Sequence, residues 1–362
     1  MLLKKLSIFV FITVLSAVVF TSCKEDDPAP EPSVVTEGAY ILNSGVQTGN
    51  DSEISYYDFA TQNVKNNVYF TQNSTLLGDT GNDFLICGSK TYCAVTVSGK
   101  IAVMDKNGKL IKNIQSEKNG KFQEPRNLTA FEGKIYVTFK DGYVACIDTA
   151  SLTIEKQVKV GEYPEQLAVA NRKLYVANSG GFNFPDYDKT VSVISIDNFS
   201  VLKTLEVVPN PVKVQIDAQG DVYVASFNSY EANGALQRID SKTDAVTKID
   251  GFSSIADFSQ VCNDKIYIIQ TQYDENWDAI VSYSVFDTKN EKVLTEQFIT
   301  DGTMLTSPGC INVEPVSGNV YIGDSPTFTG NGDIYIFSPD GKLVKKFDSG
   351  AKNPVKVCFV TK

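Results

Sequence analysis

Histidine is absent from all 362 residues. This removes the commonest general base, the commonest metal ligand and the usual pH switch together. Other signatures are missing too. There is no CxxC pair, no GxSxG elbow, no phosphate-cradling loop and no dinucleotide fingerprint. Beyond the first 22 residues no segment is long and apolar enough to cross a bilayer. Basic residues are outnumbered, 33 Lys and Arg against 43 Asp and Glu, for a formal charge of −10. The charge becomes −12 once Lys4 and Lys5 are removed with the leader described next. Such a balance argues against nucleic acid as a partner and against a polybasic membrane patch.

The N-terminus has a grammar of its own. Lys4 and Lys5 precede an apolar run, Leu6 to Phe20, and Phe20-Thr21-Ser22-Cys23 forms a short exit. Residues 1–22 read as a signal peptide, and Cys23 as the lipidated first residue of the mature chain. The stretch 23–37 then reads as a linker, with Glu25-Asp26-Asp27 followed by Pro28, Pro30 and Pro32 as a stiff spacer. The location expected is the outer membrane, lipid-anchored and exposed at the cell surface.

What is abundant is aromatic: 17 Tyr and 21 Phe. From residue 38 onward a short strand with a central tyrosine recurs at Tyr40, Tyr92, Tyr136, Tyr175, Tyr223, Tyr267 and Tyr321. The spacing suits four strands per unit, the mark of a propeller. An apolar strand precedes each tyrosine strand except the first, and a seventh, PVKVCFV at 354–360, stands alone at the C-terminus. The sequence therefore predicts an all-β, seven-bladed propeller over 38–362, with the C-terminal strand completing the first blade. Short turns such as Asn107-Gly108 and Asp340-Gly341 trim one face. Long loops occupy the other, and function is expected there.

Those long loops carry Phe182, Phe184, Tyr187, Phe227, Tyr230, Tyr273, Trp277 and Phe328. Aromatics on polar, glycine-rich loops suit a flat apolar ligand or a protein partner. Asp83, Arg126, Glu165, Lys213, Asp257 and Lys356 are expected around the central channel, where they either meet a polar ligand or pair with one another. Arg126 is the ligand-binding candidate among them. Asp186 and Asp188 form a weak paired-carboxylate motif. Six cysteines remain beyond Cys23, and Cys87 and Cys93, flanking one hairpin, are candidates for a cross-strand disulfide. No catalytic group and no metal set stands out, so the chain reads as a binding protein rather than an enzyme.

Several segments carry a family resemblance: GAYILNSG, GDTGNDFLICG, KLYVANSGGFNFPDYDKTVSVI, VSYSVFDTKNEKV and FITDGT. Together they resemble the DUF5074, YncE-like (YVTN) β-propeller surface lipoproteins of Bacteroidetes, including members that bind cobalamin. The resemblance implies capture of a corrinoid on the long-loop face and its transfer to a TonB-dependent outer-membrane transporter. It places Asn178 and the loop 178–188 at the ligand, and Ser116 to Gln123 looks shortened against the family pattern. Without histidine, a corrinoid would be a bound ligand held by shape, stacking and hydrogen bonds. A propeller scaffold binding protein or glycan at the cell surface is the alternative.

Overall fold

The seven repeated tyrosines are all buried, none more than 5% exposed. Each lies in the second strand of a four-stranded antiparallel sheet, and seven such sheets make up the fold. The computed structural model describes residues 34–362 apart from 182, 230–232 and 277. The leader, Cys23 and the linker as far as residue 33 lie outside the described residues, as do Phe182, Tyr230 and Trp277.

The blades are numbered here by their innermost strands. Blade 1 has Pro354–Thr361, blade 2 Gly81–Cys87, blade 3 Pro125–Phe131 and blade 4 Pro164–Ala170. Blade 5 has Pro211–Ile216, blade 6 Ile255–Phe258 and blade 7 Pro308–Val313. Five of the seven open on proline, which is tolerated at the first residue of a strand because no ladder donor is needed there.

Ring closure is as the sequence predicts. Thr36–Asn43 pairs on one side with Glu53–Asp58 and on the other with Pro354–Thr361, and Val35 and Lys362 exchange both backbone hydrogen bonds at 3.0 Å. The final strand thus fills the innermost place of blade 1, and the ring has no open seam.

The tyrosine repeat has a physical cause in the blade-to-blade contact. Tyr40 of blade 1 donates its hydroxyl to the Lys106 carbonyl in the outer turn of blade 2. Tyr175 of blade 4 donates to Asp244 Oδ1 of blade 5 at 2.9 Å, and Tyr223 of blade 5 to the Thr288 carbonyl of blade 6 at 3.2 Å. In these three blades one residue type fills the space between blades with an apolar ring and reaches a polar turn with its tip.

Two local expectations change. The apolar strand expected before Tyr267 is short, only Ile255–Phe258. Ser259 Oγ accepts from the Tyr267 backbone N–H, and Cys262 closes a tight turn onto Lys265, which ends the ladder early. Cys87 and Cys93 are not cross-strand neighbours. The turn pairs Cys87 with Lys90, so Cys93 falls opposite Phe84, and the six described cysteines are free thiols. Burial pushes the Cys93 thiol well above its ordinary value, as expected of a small apolar core residue.

Candidate functional site

At the long-loop end of the channel, the six charges expected from the sequence pair among themselves. Arg126 of blade 3 meets Glu165 of blade 4 with Nε and Nη2, at 3.0 and 2.8 Å from Oε2. Lys213 of blade 5 lies 2.9 Å from Asp257 of blade 6, and Lys356 of blade 1 lies 3.3 Å from Asp83 of blade 2. Every pair joins neighbouring blades. The carboxylates also reach one blade further: Asp83 accepts from the Leu128 N–H at 2.9 Å and Asp257 from the Ile311 N–H at 3.1 Å. Burial pushes the Glu165 carboxyl above its usual value while Arg126 pulls it the other way. Burial is the largest single effect and works against the Lys356 ammonium, but the Asp83 charge and hydrogen bond, with Cys358 and Asp257, together outweigh it, and the group titrates above its usual range. Arg126 is thus committed to Glu165. The channel holds a cavity of about 380 Å³ lined by Lys213, Asp257 and Lys356 of these pairs together with residues such as Leu128, Gln215 and Cys358.

On the long-loop face, a wider cup of about 730 Å³ lies over blades 3 and 4, and Phe122, Tyr143 and Tyr163 supply its rings. Its outer wall is a small hairpin, Glu117–Lys118 against Lys121–Phe122. The turn is Asn119-Gly120, with φ of 53° and 73°, the two positive values that a type I′ turn requires. Here the chain holds Phe122 half-exposed at 52%. Lys118 Nζ sits 3.2 Å from the centroid of the Tyr143 ring, with Lys159 at 5.1 Å, and Lys140 lies 5.4 Å from that of Tyr163. Below, the buried Gln123 donates to both oxygens of Asp141 at 3.0 and 2.9 Å and accepts from Ser116 and Gln157, so the floor is cross-braced.

The aromatic loop 178–188 joins this cup through Gly181. A Cβ there would lie 2.2 Å from the Tyr163 ring, and φ is +55°, so only glycine lets the ring rest on the loop backbone. Asp188 is engaged within the loop base, accepting from the Glu162 N–H at 3.0 Å and from Thr190 Oγ1 at 2.7 Å. Asn178 is fully buried, and its Nδ2 donates to Thr190 and Ser192, each at 2.9 Å. It holds the loop from beneath. Phe184 is 56% exposed on the same loop, while Tyr187 is half-buried.

The other aromatic candidates lie further round the face. Phe227 is half-buried against the blade 5–6 core, with its N–H bonded to the Asn210 carbonyl at 2.9 Å. The central hairpin of blade 6, Lys265–Tyr273 with Ala279–Asp287, has nine-residue strands and extends beyond its neighbours. Tyr273 is 61% exposed near its tip, and Phe328 of blade 7 is 71% exposed. The loop of Phe184 and Tyr187 thus touches the cup through Gly181, but neither ring lines it, and Tyr273 and Phe328 do not line it either. Phe122, Tyr143 and Tyr163, with Lys118 and Lys140, are missing from the sequence-based candidates. Asn119-Gly120 is the signal that marks their hairpin. Among the described residues no cluster of three or more Cys, Asp and Glu is arranged to hold a metal ion.

No curated protein matches the sequence. Among solved structures, a 6-phosphogluconolactonase candidate from Bacteroides fragilis aligns over 91% of this chain and 100% of its own, with a TM-score of 0.63 and 12% identity. A quinoprotein alcohol dehydrogenase-like protein from Bacteroides thetaiotaomicron aligns over 90% of this chain and 78% of its own, at TM-score 0.60 and 16% identity. A protein from Lactobacillus plantarum aligns over 90% and 100%, at 0.59 and 14%. At such identities the likeness is one of fold. The profile described as a domain of unknown function, DUF5074, matches residues 37–356, every blade included, and the chain belongs to that family.

Proposed function

We propose that the protein is a cell-surface lipoprotein that captures a corrinoid on its long-loop face and passes it to a TonB-dependent outer-membrane transporter. The observation that carries this reading is the cup over blades 3 and 4. Three rings, Phe122, Tyr143 and Tyr163, line it for a flat apolar ligand, which would take the Tyr143 face by displacing Lys118 toward its own polar periphery, while Lys140 is held by Glu124 at 2.8 Å. A ligand with a planar macrocycle, amide arms and a phosphate matches that mixture. The paired charges at the channel mouth support capture over catalysis, because each is held by its neighbour rather than left to move a proton.

The test is calorimetric titration of cyanocobalamin into the protein and its Tyr143→Ala and Phe122→Ala variants. Binding that either substitution weakens tenfold or more (about 1.4 kcal/mol) supports capture at the cup. Absence of heat in the unsubstituted protein refutes it. A second reading, a scaffold for a protein partner, is favoured by exposed apolar groups over blades 6 and 7. These are Tyr273, Ile280, Phe328 and Met304, the last 87% exposed.

A further inference from the structure

The short-turn face carries a second cavity that the function above does not use. Most outermost strands run four to seven residues, as in Val246–Ile249 and Thr153–Lys159, but that of blade 1 is only Val64–Lys65. A six-residue helix, Val68–Asn73, takes over the remaining space. The helix is pinned by the buried Glu53, whose carboxylate accepts from the Tyr69 N–H at 3.1 Å and the Phe70 N–H at 3.3 Å. With the outer strand cut short, the groove between blades 1 and 2 opens to about 650 Å³, against about 310 Å³ for the groove between blades 3 and 4 on the same face.

Its floor is aromatic. Tyr56 lies against Tyr40 with ring centroids 5.0 Å apart, and a Cβ at Gly38 would sit 2.4 Å from the Tyr56 hydroxyl. Gly38 is what lets that ring lie across the strand. The walls are polar but balanced in charge, with Glu37 and Asp58 facing Lys65 and Lys106. Lys65 Nζ stands 5.6 Å from the Tyr56 centroid and 3.9 Å from Asp58. The side chains of Lys106 and Gln72 hydrogen-bond to no other described residue.

We propose that this groove is a binding site for a neutral sugar of one or two rings. A tyrosine face takes the apolar C–H face of a pyranose, and carboxylate, amide and ammonium groups around it match hydroxyls that both donate and accept. The balanced charge disfavours an anion, in contrast to the lysine-lined cup on the opposite face.

Saturation-transfer NMR on the full chain tests the assignment, with maltose, cellobiose, lactose and N,N′-diacetylchitobiose and their methyl glycosides as probes. The methyl glycosides stand for the end of a longer glycan and the reducing sugars for a free one. The expected result is transfer to ring C–H protons of at least one probe at millimolar concentration. Tyr56→Leu should lower that affinity about fivefold, within the range of an aromatic contact. Lys106→Ala, whose side chain makes no contact the fold depends on, should weaken binding while the thermal midpoint stays put. If Tyr56→Leu fails to fold, Lys106→Ala alone decides. No transfer from any probe, or transfer that survives the substitutions unchanged, overturns the proposal. Neither result bears on cyanocobalamin binding at the other face.

Discussion

Replacing Arg126 by methionine isolates the energetics of the channel-mouth ring. The Glu165 side chain is 8% exposed and that of Arg126 23%, so the substitution strands a carboxylate in a nearly water-free place. What remains near it is Asn127 Nδ2, 3.3 Å from Oε2, and the more distant Lys213 charge. Breaking one partner of a buried pair costs about 3–5 kcal/mol, and the residual partners place this case near the lower figure. Removing both charges, in Arg126→Met with Glu165→Leu, should bring the protein back to within about 1 kcal/mol of the original. The sign of the pH effect is fixed by burial. Glu165 already titrates above its unfolded value, so its favourable contribution is full below that unfolded value and is lost as pH rises through the folded one. Without Arg126 the folded value climbs further, and the deficit of the single variant should be largest at neutral pH and shrink on acidification toward pH 5. Urea unfolding of the three proteins at several pH values measures all of this. Equal deficits in the single and double variants, or a single-variant deficit that ignores pH, would refute the reasoning.

Tyr175→Phe removes a donor from Asp244, which keeps Lys173 and Lys203, so a loss near 1.5 kcal/mol is expected in denaturant unfolding. Tyr92→Phe is its control: that buried hydroxyl has no hydrogen-bond partner among the described residues, and its removal should be neutral or slightly stabilising. Gly181→Ala forces a methyl into the Tyr163 ring at φ +55°, which should cost about 1–2 kcal/mol by thermal melting and abolish cyanocobalamin heat if the cup is the site. Glu53→Gln turns a donor toward helix N–H groups, and hydrogen exchange over residues 68–73 should accelerate at least tenfold, with a melting deficit of about 1–3 kcal/mol.

The propeller was legible because its cause is local and repeated. A buried tyrosine once per blade leaves a period in the chain, and the unmatched apolar strand at 354–360 has nowhere to pair but beside Tyr40. Contacts between distant residues were not legible in the same way. VYFTQN is built largely of strand-favouring residues and becomes a helix because Glu53, sixteen residues before Tyr69, accepts its first N–H groups. The six channel charges were visible, but which would pair depends on blade order, and the structure joins Arg126 to Glu165 across 39 positions. Asn119-Gly120 was a readable hairpin signal. That its hairpin holds Phe122 beside Tyr143 and Tyr163 follows only from the stacking of blades.

The closing strand also sets how the ring bears load. A pull along the axis of Thr36–Asn43 would act on a strand clamped by Glu53–Asp58 on one flank and Pro354–Thr361 on the other. The ladder hydrogen bonds run across that strand, so tension along its axis loads them in shear, many at once, instead of peeling them one by one. The first blade would therefore act as a mechanical lock, and the end of the chain that closes the circle is the part that would have to slide before force could unwind the other six.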